Sequence, residues 1–400
     1  MTAAVHRTRR VVLIVSGSVV GVIAALLVVV LAVGGLFSPA HYLDPWKTSY
    51  AQQFSDPRMK LVSQALLAPS SHNMQPWRVA LDAAHPDVLY LYADASRLTP
   101  AVDPVARQTM VSQGTFLAYL RIAALKLGYS TALDLFPDGT YDESSLTASM
   151  KTLPVARITL GKQATTSSPD FGSLFRSDTN RDPYTATRVS AEQVSELSGL
   201  ANGSGATLQF YSDATSRKTL GDFGIEGTLI ETRYAASTAE SDRLFSSTEA
   251  RKNVARSGFA VEGQGTSGFT KYLLQGLITL IPSFNDDAAG AKRSIASTTA
   301  AVAATQAYAM ISTAGNSRRE QVDAGILYAR FSLRARTLGL VMQPLSQVLQ
   351  EYPSMSTPYG AIHEQFAPKG ETIQMLVRVG TATTDYPPTM RRDANTLLLR

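Results

Sequence analysis

The densest run of polar chemistry in the chain is Ala68-Pro69-Ser70-Ser71-His72-Asn73-Met74-Gln75-Pro76-Trp77. Its two prolines hold it as a loop. Its hydroxyls and side-chain amides set donors and acceptors side by side. That mixture suits a ligand that is part heteroaromatic ring and part polyol, such as a flavin with its ribityl chain. It suits a structured turn as well, and from these residues alone both readings stand. Trp77 reads as core rather than as a stacking platform. Elsewhere the candidate chemistry thins out. There is no cysteine, which excludes a disulfide scaffold, thiolate zinc and cysteine catalysis. The five histidines (His6, His41, His72, His85 and His363) show no metal-ligand spacing, so no metal is expected. No G-x-S-x-G elbow is present. Gly263-Gln264-Gly265-Thr266-Ser267-Gly268 matches G-x-G-x-x-G, but no clear strand and helix flank it, so it reads as a glycine loop. No side chain stands out as a catalytic acid or base.

The elements that must hold this loop alternate between helices and short strands, an α+β pattern. A helix is expected over 59–68, ended by Pro69, and a strand over Val88–Tyr92. Asp103-Pro104 looks like a helix start, with Leu117, Leu120, Ala124 and Leu127 on one face and Gly128 as the stop. Further elements are a strand at 155–160, a capping box of Ser190 and Gln193 opening a helix to about 200, an Ala-rich helix over 297–312, a helix over 321–338 and a strand at 373–379. Two segments look like copies. Arg107, Gly114 and Gly128 recur as Arg318, Gly325 and Gly339, each pair 211 residues apart. Each copy is followed by a strand with an internal arginine, Arg157 and Arg378. An internal duplication is expected, with repeat one at about 58–165 and repeat two at about 170–400. The stretch 237–290 has no counterpart and reads as a lid-like insertion.

The amino terminus has a different character. Residues 1–10 carry Arg7, Arg9 and Arg10 and no acid, while 11–37 hold no charge and are mostly Val, Leu, Ile, Ala and Gly. That run is long enough for a hydrocarbon core of about 30 Å and too long for the apolar core of a cleaved signal. A single membrane-spanning helix is expected over 11–37, with a cytoplasmic tail at 1–10, a tether at 38–57 and the body outside the cytoplasm. Thr8-Arg9-Arg10-Val11-Val12-Leu13 resembles a twin-arginine export signal, and Ser38-Pro39-Ala40 offers a cleavage site. Beyond residue 10 the chain holds 34 basic and 32 acidic residues with no basic cluster, so nucleic acid is not an expected partner.

The loop PSSHNMQPW resembles the PS-x-x-N-x-QPW loop of the nitroreductase-like flavoproteins, which lies against FMN. Asp103 to Arg107 with the Gly114 helix, the run FRSDTNRDPY (175–184), Leu338 to Leu345, and MLVRVG followed by Arg391-Arg392 are similar to the family's later segments, in order. The T-N-R form, the RVG…RR ending and the length resemble the Acg-like subgroup, in which one chain holds two repeats and imitates the usual homodimer. The resemblance covers about residues 58–397. It implies one FMN per monomeric chain. Ser70, Ser71, Asn73 and Gln75 would serve the ribityl chain or ring edge, and Thr179 and Asn180 the ribityl hydroxyls. Arg181, Arg391 and Arg392 would serve the phosphate, and the backbone amides of Leu345 and Ser346 the flavin ring. Ser177 stands where the family often has arginine. Three functions follow from the resemblance. One is an FMN-dependent oxidoreductase passing two electrons from NAD(P)H to a nitro or quinone acceptor. The second is an FMN-sequestering protein without turnover, its pocket closed by a lid within 258–281. The third, which rests on the Ser177 departure, is a degenerate scaffold that binds no flavin and acts through its membrane anchor.

Overall fold

The computed structural model describes residues 2–399 apart from 167, 178 and 368. Side chains are described from residue 16 onward, except 284, 285 and 287. Two four-stranded antiparallel sheets carry the fold. The first is built from β1 (Trp77–Leu81), β2 (Val88–Ala93), β3 (Tyr129–Leu135) and β4 (Ala156–Lys162), in the order β1-β2-β4-β3. The second is built from β5 (Ala206–Tyr211), β6 (Ala307–Thr313), β7 (Val341–Pro344) and β8 (Thr372–Gly380), in the order β5-β6-β8-β7. Both sheets therefore share one strand order, and in each a long helix joins the second strand to the third.

Those joining helices are α3 (Arg107–Leu127) and α11 (Arg318–Thr337), preceded by α1 (Thr2–Gly34) and α2 (Pro57–Ala65). Between α3 and α11 come α4 (Leu146–Thr152), α5 (Ala191–Ser198), α6 (Ala214–Arg233), α7 (Ala235–Leu244), α8 (Glu249–Ala255), α9 (Gly268–Leu280) and α10 (Asp287–Ala303), and α12 (Ser356–Phe366) follows. The helices α3 and α11 cross where Gly114 meets Gly325. A Cβ built on Gly114 would lie 2.0 Å from the Val322 carbonyl oxygen, and one on Gly325 would lie 1.9 Å from that of Val111. Only bare backbone permits so close a crossing. The arginines that open the two helices reach across it. Arg107 donates to the carbonyls of Leu349 and Gln374, while Arg318 donates to Glu143.

Several expected elements shift. The α3 helix starts at Arg107, not at Pro104, because Ala106 takes a left-handed φ of 54° and breaks the turn. Asp103 still caps it, accepting from the amides of Gln108 and Thr109 at 2.9 Å. The Ala-rich helix stops at Ala303, and residues 307–313 form β6, whose residues are all buried. The segment between β5 and β6 is helical throughout most of its length, α6 to α10, and includes the expected insertion. Among the described residues no helix is long and apolar enough to cross a membrane. The helix α1 ends at Gly34, short of Phe37, and the side chains of residues 11–15 of the expected span lie outside the described ones.

Candidate cofactor site

The loop 70–76 leaves α2 and enters β1 in a strained form. His72, Asn73 and Gln75 all have left-handed φ, at 50°, 52° and 51°. Such angles are uncommon outside glycine, although Asn and His adopt them more readily than other residues, and three within four positions persist where surrounding contacts impose them. Here the contacts come from three directions. Ser70 Oγ accepts from the Gln75 amide at 2.9 Å and closes the loop on itself. The α3 helix supports it from below, with Ser112 Oγ accepting from the Ser71 amide and Gln108 Oε1 from the Ser71 hydroxyl. Trp77 is fully buried and donates to the Ser112 carbonyl, a core role.

The second direction is the carboxyl-terminal segment. Arg391 donates to Asn73 Oδ1 at 2.8 Å and to the Leu67 carbonyl at 3.0 Å, and its guanidinium lies 4.5 Å from the Trp46 ring centroid. Arg392 gives its amide to Gln75 Oε1 and its guanidinium to the carbonyls of Gln75, Trp77 and Thr396. Both side chains are buried. Burial, with Arg97 nearby, pushes the Arg392 guanidinium down to about 9, against the opposing pull of Asp94. These two arginines bracket the loop backbone and are not presented as an open phosphate fork.

The third direction is the insertion. Gly258 and Asn73 bond each other both ways, the Gly258 amide to the Asn73 carbonyl and Asn73 Nδ2 to the Gly258 carbonyl. Gln75 Nε2 donates to the Arg256 carbonyl at 2.9 Å, and Arg97 to Ser257 Oγ. Phe259 sits 5.0 Å from the His72 ring, and Arg181 donates to the Gly263 carbonyl. Arg256, Gly258 and Phe259 therefore contact the loop directly, while Ser257 and Gly263 hold the neighbouring Arg97 and Arg181. Arg256 itself has a left-handed φ of 50°. Its role had no sequence signal, nor had those of Phe259 and Arg97.

The remaining expected residues lie around this centre. Asn180 is buried and donates to the carbonyls of Met342 and Thr384, so it ties the second sheet to the chain end. Thr179 is half-buried beside it. The Leu345 amide is engaged with the Leu376 carbonyl at 2.8 Å. Ser346 is half-buried, and its hydroxyl accepts from the Leu376 amide. Neither bonds the loop; the amino end of α3 stands between, with Arg107 on Leu349 and Gln108 on Ser71.

Tested against the donors an FMN needs, the residues divide. Ser70, Ser71 and Arg181 are half-buried, with hydroxyls and a guanidinium suited to a polyol phosphate. His72 Nδ1 is buried with no hydrogen-bond partner among the described residues, the kind of atom a ligand satisfies. Arg391, Arg392, Asn73 and Gln75 act instead as the frame. Burial, then the positive charge of Arg181, pulls His72 down to about 4. Its folded value lies below the ordinary 6.5, so the unfolded chain binds the extra proton first. Stability should fall as pH drops from 6.5 toward 4. Asparagine tolerates the same φ, so His72→Asn should flatten that slope in thermal melts taken across this range.

No family model matches the chain. Two curated relatives, uncharacterized proteins of Mycobacterium tuberculosis strains CDC 1551 and H37Rv, are each 32% identical over 100 residues. The match takes in 25% of this chain and spans 28% of the length of those relatives. Among solved structures, an FMN-dependent nitroreductase of Mycobacterium smegmatis in complex with NADPH is 14% identical, with a TM-score of 0.31, over 52% of this chain and 84% of its own. A nitroreductase with bound FMN from Desulfitobacterium hafniense is 13% identical, with a TM-score of 0.33, over 57% and 97%. A putative nitroreductase of Anabaena variabilis is 11% identical, with a TM-score of 0.30, over 83% and 90%.

Proposed function

We propose that the chain is a nitroreductase-like flavoprotein of the Acg-like kind, a monomeric pseudo-dimer holding one FMN beside the loop 70–76 and tethered to a membrane through residues 11–37, with its body outside the cytoplasm. The observation that carries the reading is the strained loop of His72, Asn73 and Gln75, framed by Arg391 and Arg392 and covered by the insertion. The PS-x-x-N-x-QPW resemblance and the shared strand order of the two sheets support it. Ser70, Ser71 and Thr179 would hold the ribityl chain and Arg181 the phosphate. Bound FMN supplies two-electron hydride chemistry, from NAD(P)H to a nitro or quinone-type acceptor. The chain's own part is to orient and to exclude water: the arginine pair fixes the loop backbone, and residues 256–263 close over it.

That closure favours a second reading, an FMN-sequestering protein without turnover. The reciprocal Asn73–Gly258 bonds and the Gln75–Arg256 bond fasten the insertion to the loop, where it would restrict the approach of a nicotinamide. The deciding experiment is the visible spectrum of the purified full chain, before and after anaerobic NADH or NADPH. Bleaching by either nucleotide makes it a reductase. Bleaching by dithionite alone favours a sequestering protein, or an electron donor other than the nicotinamides. A colourless protein that takes up no added FMN removes the flavin from the account. Arg181→Ala should weaken FMN binding by roughly 10- to 100-fold, the worth of a hydrogen bond to a charged group, measured by flavin fluorescence titration.

A further inference from the structure

The insertion helix α9 is inside out. Its buried positions are polar or bare, Lys271, Gln275 and Gly276, while Phe269 is 55% exposed, Leu280 48% and Ile281, just past its end, 43%. A helix facing water has the reverse order. It packs on the carboxyl-terminal half of α1, which shows the same surface. The eight Val, Ile and Leu residues numbered 19, 20, 22, 23 and 26–29 are each at least 40% exposed. Leu26, Leu27, Val28 and Val29 are consecutive, so at 3.6 residues per turn they point to every side of the helix. A protein partner covers one stripe; apolar surface all round a helix calls for an apolar solvent.

The contact between the two helices has the same character. A Cβ on Gly276 would lie 2.0 Å from the Val30 carbonyl oxygen, and one on Gly34 would lie 2.0 Å from that of Tyr272. The helices are thus antiparallel and meet backbone to backbone through glycine, as helices do where hydrocarbon gives no drive to bury side chains. The charges beside this contact, one on α9 and three on α8 and the turn after it, face inward and are matched. Lys252 and Lys271 meet Glu249 and Glu262, and Gln275 donates to the Gly34 carbonyl. Intramembrane and interfacial ions are arranged this way, toward the interior and paired.

We infer that α9 and the carboxyl-terminal half of α1 insert together into lipid, with Leu280 and Ile281 dipping into the headgroup–acyl boundary. The covering segment 256–263 is then held at the membrane surface. The inference rests on the membrane tether proposed above and adds α9 to it; it needs no bound cofactor, so it stands or falls apart from the flavin reading.

The absence of cysteine makes the test direct. Full-length single-cysteine variants Leu280→Cys, Ile281→Cys and Val254→Cys (Val254 is 87% exposed on α8) would carry an environment-sensitive fluorophore. They would be mixed with vesicles of phosphatidylglycerol and phosphatidylcholine. The expected result is a blue shift at 280 and 281, quenching there by doxyl-labelled lipid, and loss of quenching by iodide, with the opposite pattern at 254. A chain that floats with the vesicles yet shows iodide quenching at 280 and 281 equal to that at 254 overturns the inference, since α9 then lies in water. So does a chain that does not float. Shielding from both quenchers, with cross-linking between copies through position 280, assigns the surface to a second copy and overturns it too.

Discussion

Gly325→Val should leave little or no native protein. Its Cβ would sit 1.9 Å from the Val111 carbonyl oxygen and 3.0 Å from the Gly114 Cα, both backbone atoms of α3. Overpacking costs about 1–3 kcal/mol when neighbouring side chains can turn aside. Here no side chain can yield, and the helices must separate. Separation would open both cores, because Val322, Ala329 and Leu333 of α11 pack in the first core and Val111 of α3 packs in the second. The expected cost therefore exceeds about 3 kcal/mol, a large share of a typical domain's stability. Gly114→Val should do the same, its Cβ lying 2.0 Å from the Val322 oxygen. Gly360→Ala is the control. Nothing lies within 4 Å of a Cβ there, and the residue is inside α12, so a gain of about 0.5–1 kcal/mol is expected. Expression and urea denaturation of the three variants separate these outcomes. A Gly325→Val protein with unchanged stability would mean that α3 and α11 do not cross at the glycines.

The same two glycines show what the sequence could reveal. Their common spacing to Arg107 and Arg318 was legible as a pattern, because a close helix crossing forbids any other residue and so leaves a mark. The Ser190–Gln193 capping box was legible for a similar reason, being a local contact, and it forms; the one at Ser317–Glu320, which opens α11 three residues ahead of the expected start, was not read. The β6 strand was not. It is buried on both faces and shows no alternation, and it follows an Ala-rich helix with neither Gly nor Pro between Val302 and Ala307. At the site, the loop 70–76 stood out by its crowded polar groups, but their partners lie far along the chain. Arg392 binds Gln75 from 317 residues away, and an Arg-Arg pair near a chain end reads equally as a solvated tail. Its burial is a property of the fold alone. The left-handed angles of His72, Asn73 and Gln75 were hidden as well, because no glycine announces them.

Lys252→Met should cost about 3–5 kcal/mol, the range for breaking one member of a buried ion group. The Lys252 ammonium is fully buried and donates to Glu249 Oε1 and Gln275 Oε1 at 2.6 Å and to Glu262. With Lys271 the cluster holds two positive and two negative groups. Removing Lys252 leaves one carboxylate charge buried without its counter-ion. Burial alone would raise Glu249, but the Lys252 hydrogen bond and charge, with Tyr42 and Lys271, bring it below the ordinary 4.5. Burial would lower Lys271, but Glu262 and Glu249 hold it above 10.5. For Glu249 the stabilisation is present above pH 4.5 and is lost as pH falls through its folded value. For Lys271 it is present below 10.5 and is lost as pH rises through its folded value. In the variant the acid limb should reverse, because an unpaired carboxylate takes up a proton and is relieved. The deficit of Lys252→Met against wild type should therefore be smaller at pH 5 than at pH 8. Adding Glu262→Gln should recover part of it by deleting the orphan charge. Urea denaturation of the two single variants and the double at both pH values tests this, and full additivity at both would show that the cluster is not one coupled unit. The cluster also borders the candidate site. Glu262 precedes Gly263, whose carbonyl holds Arg181, so on the proposed reading a loosened cluster should also weaken FMN binding.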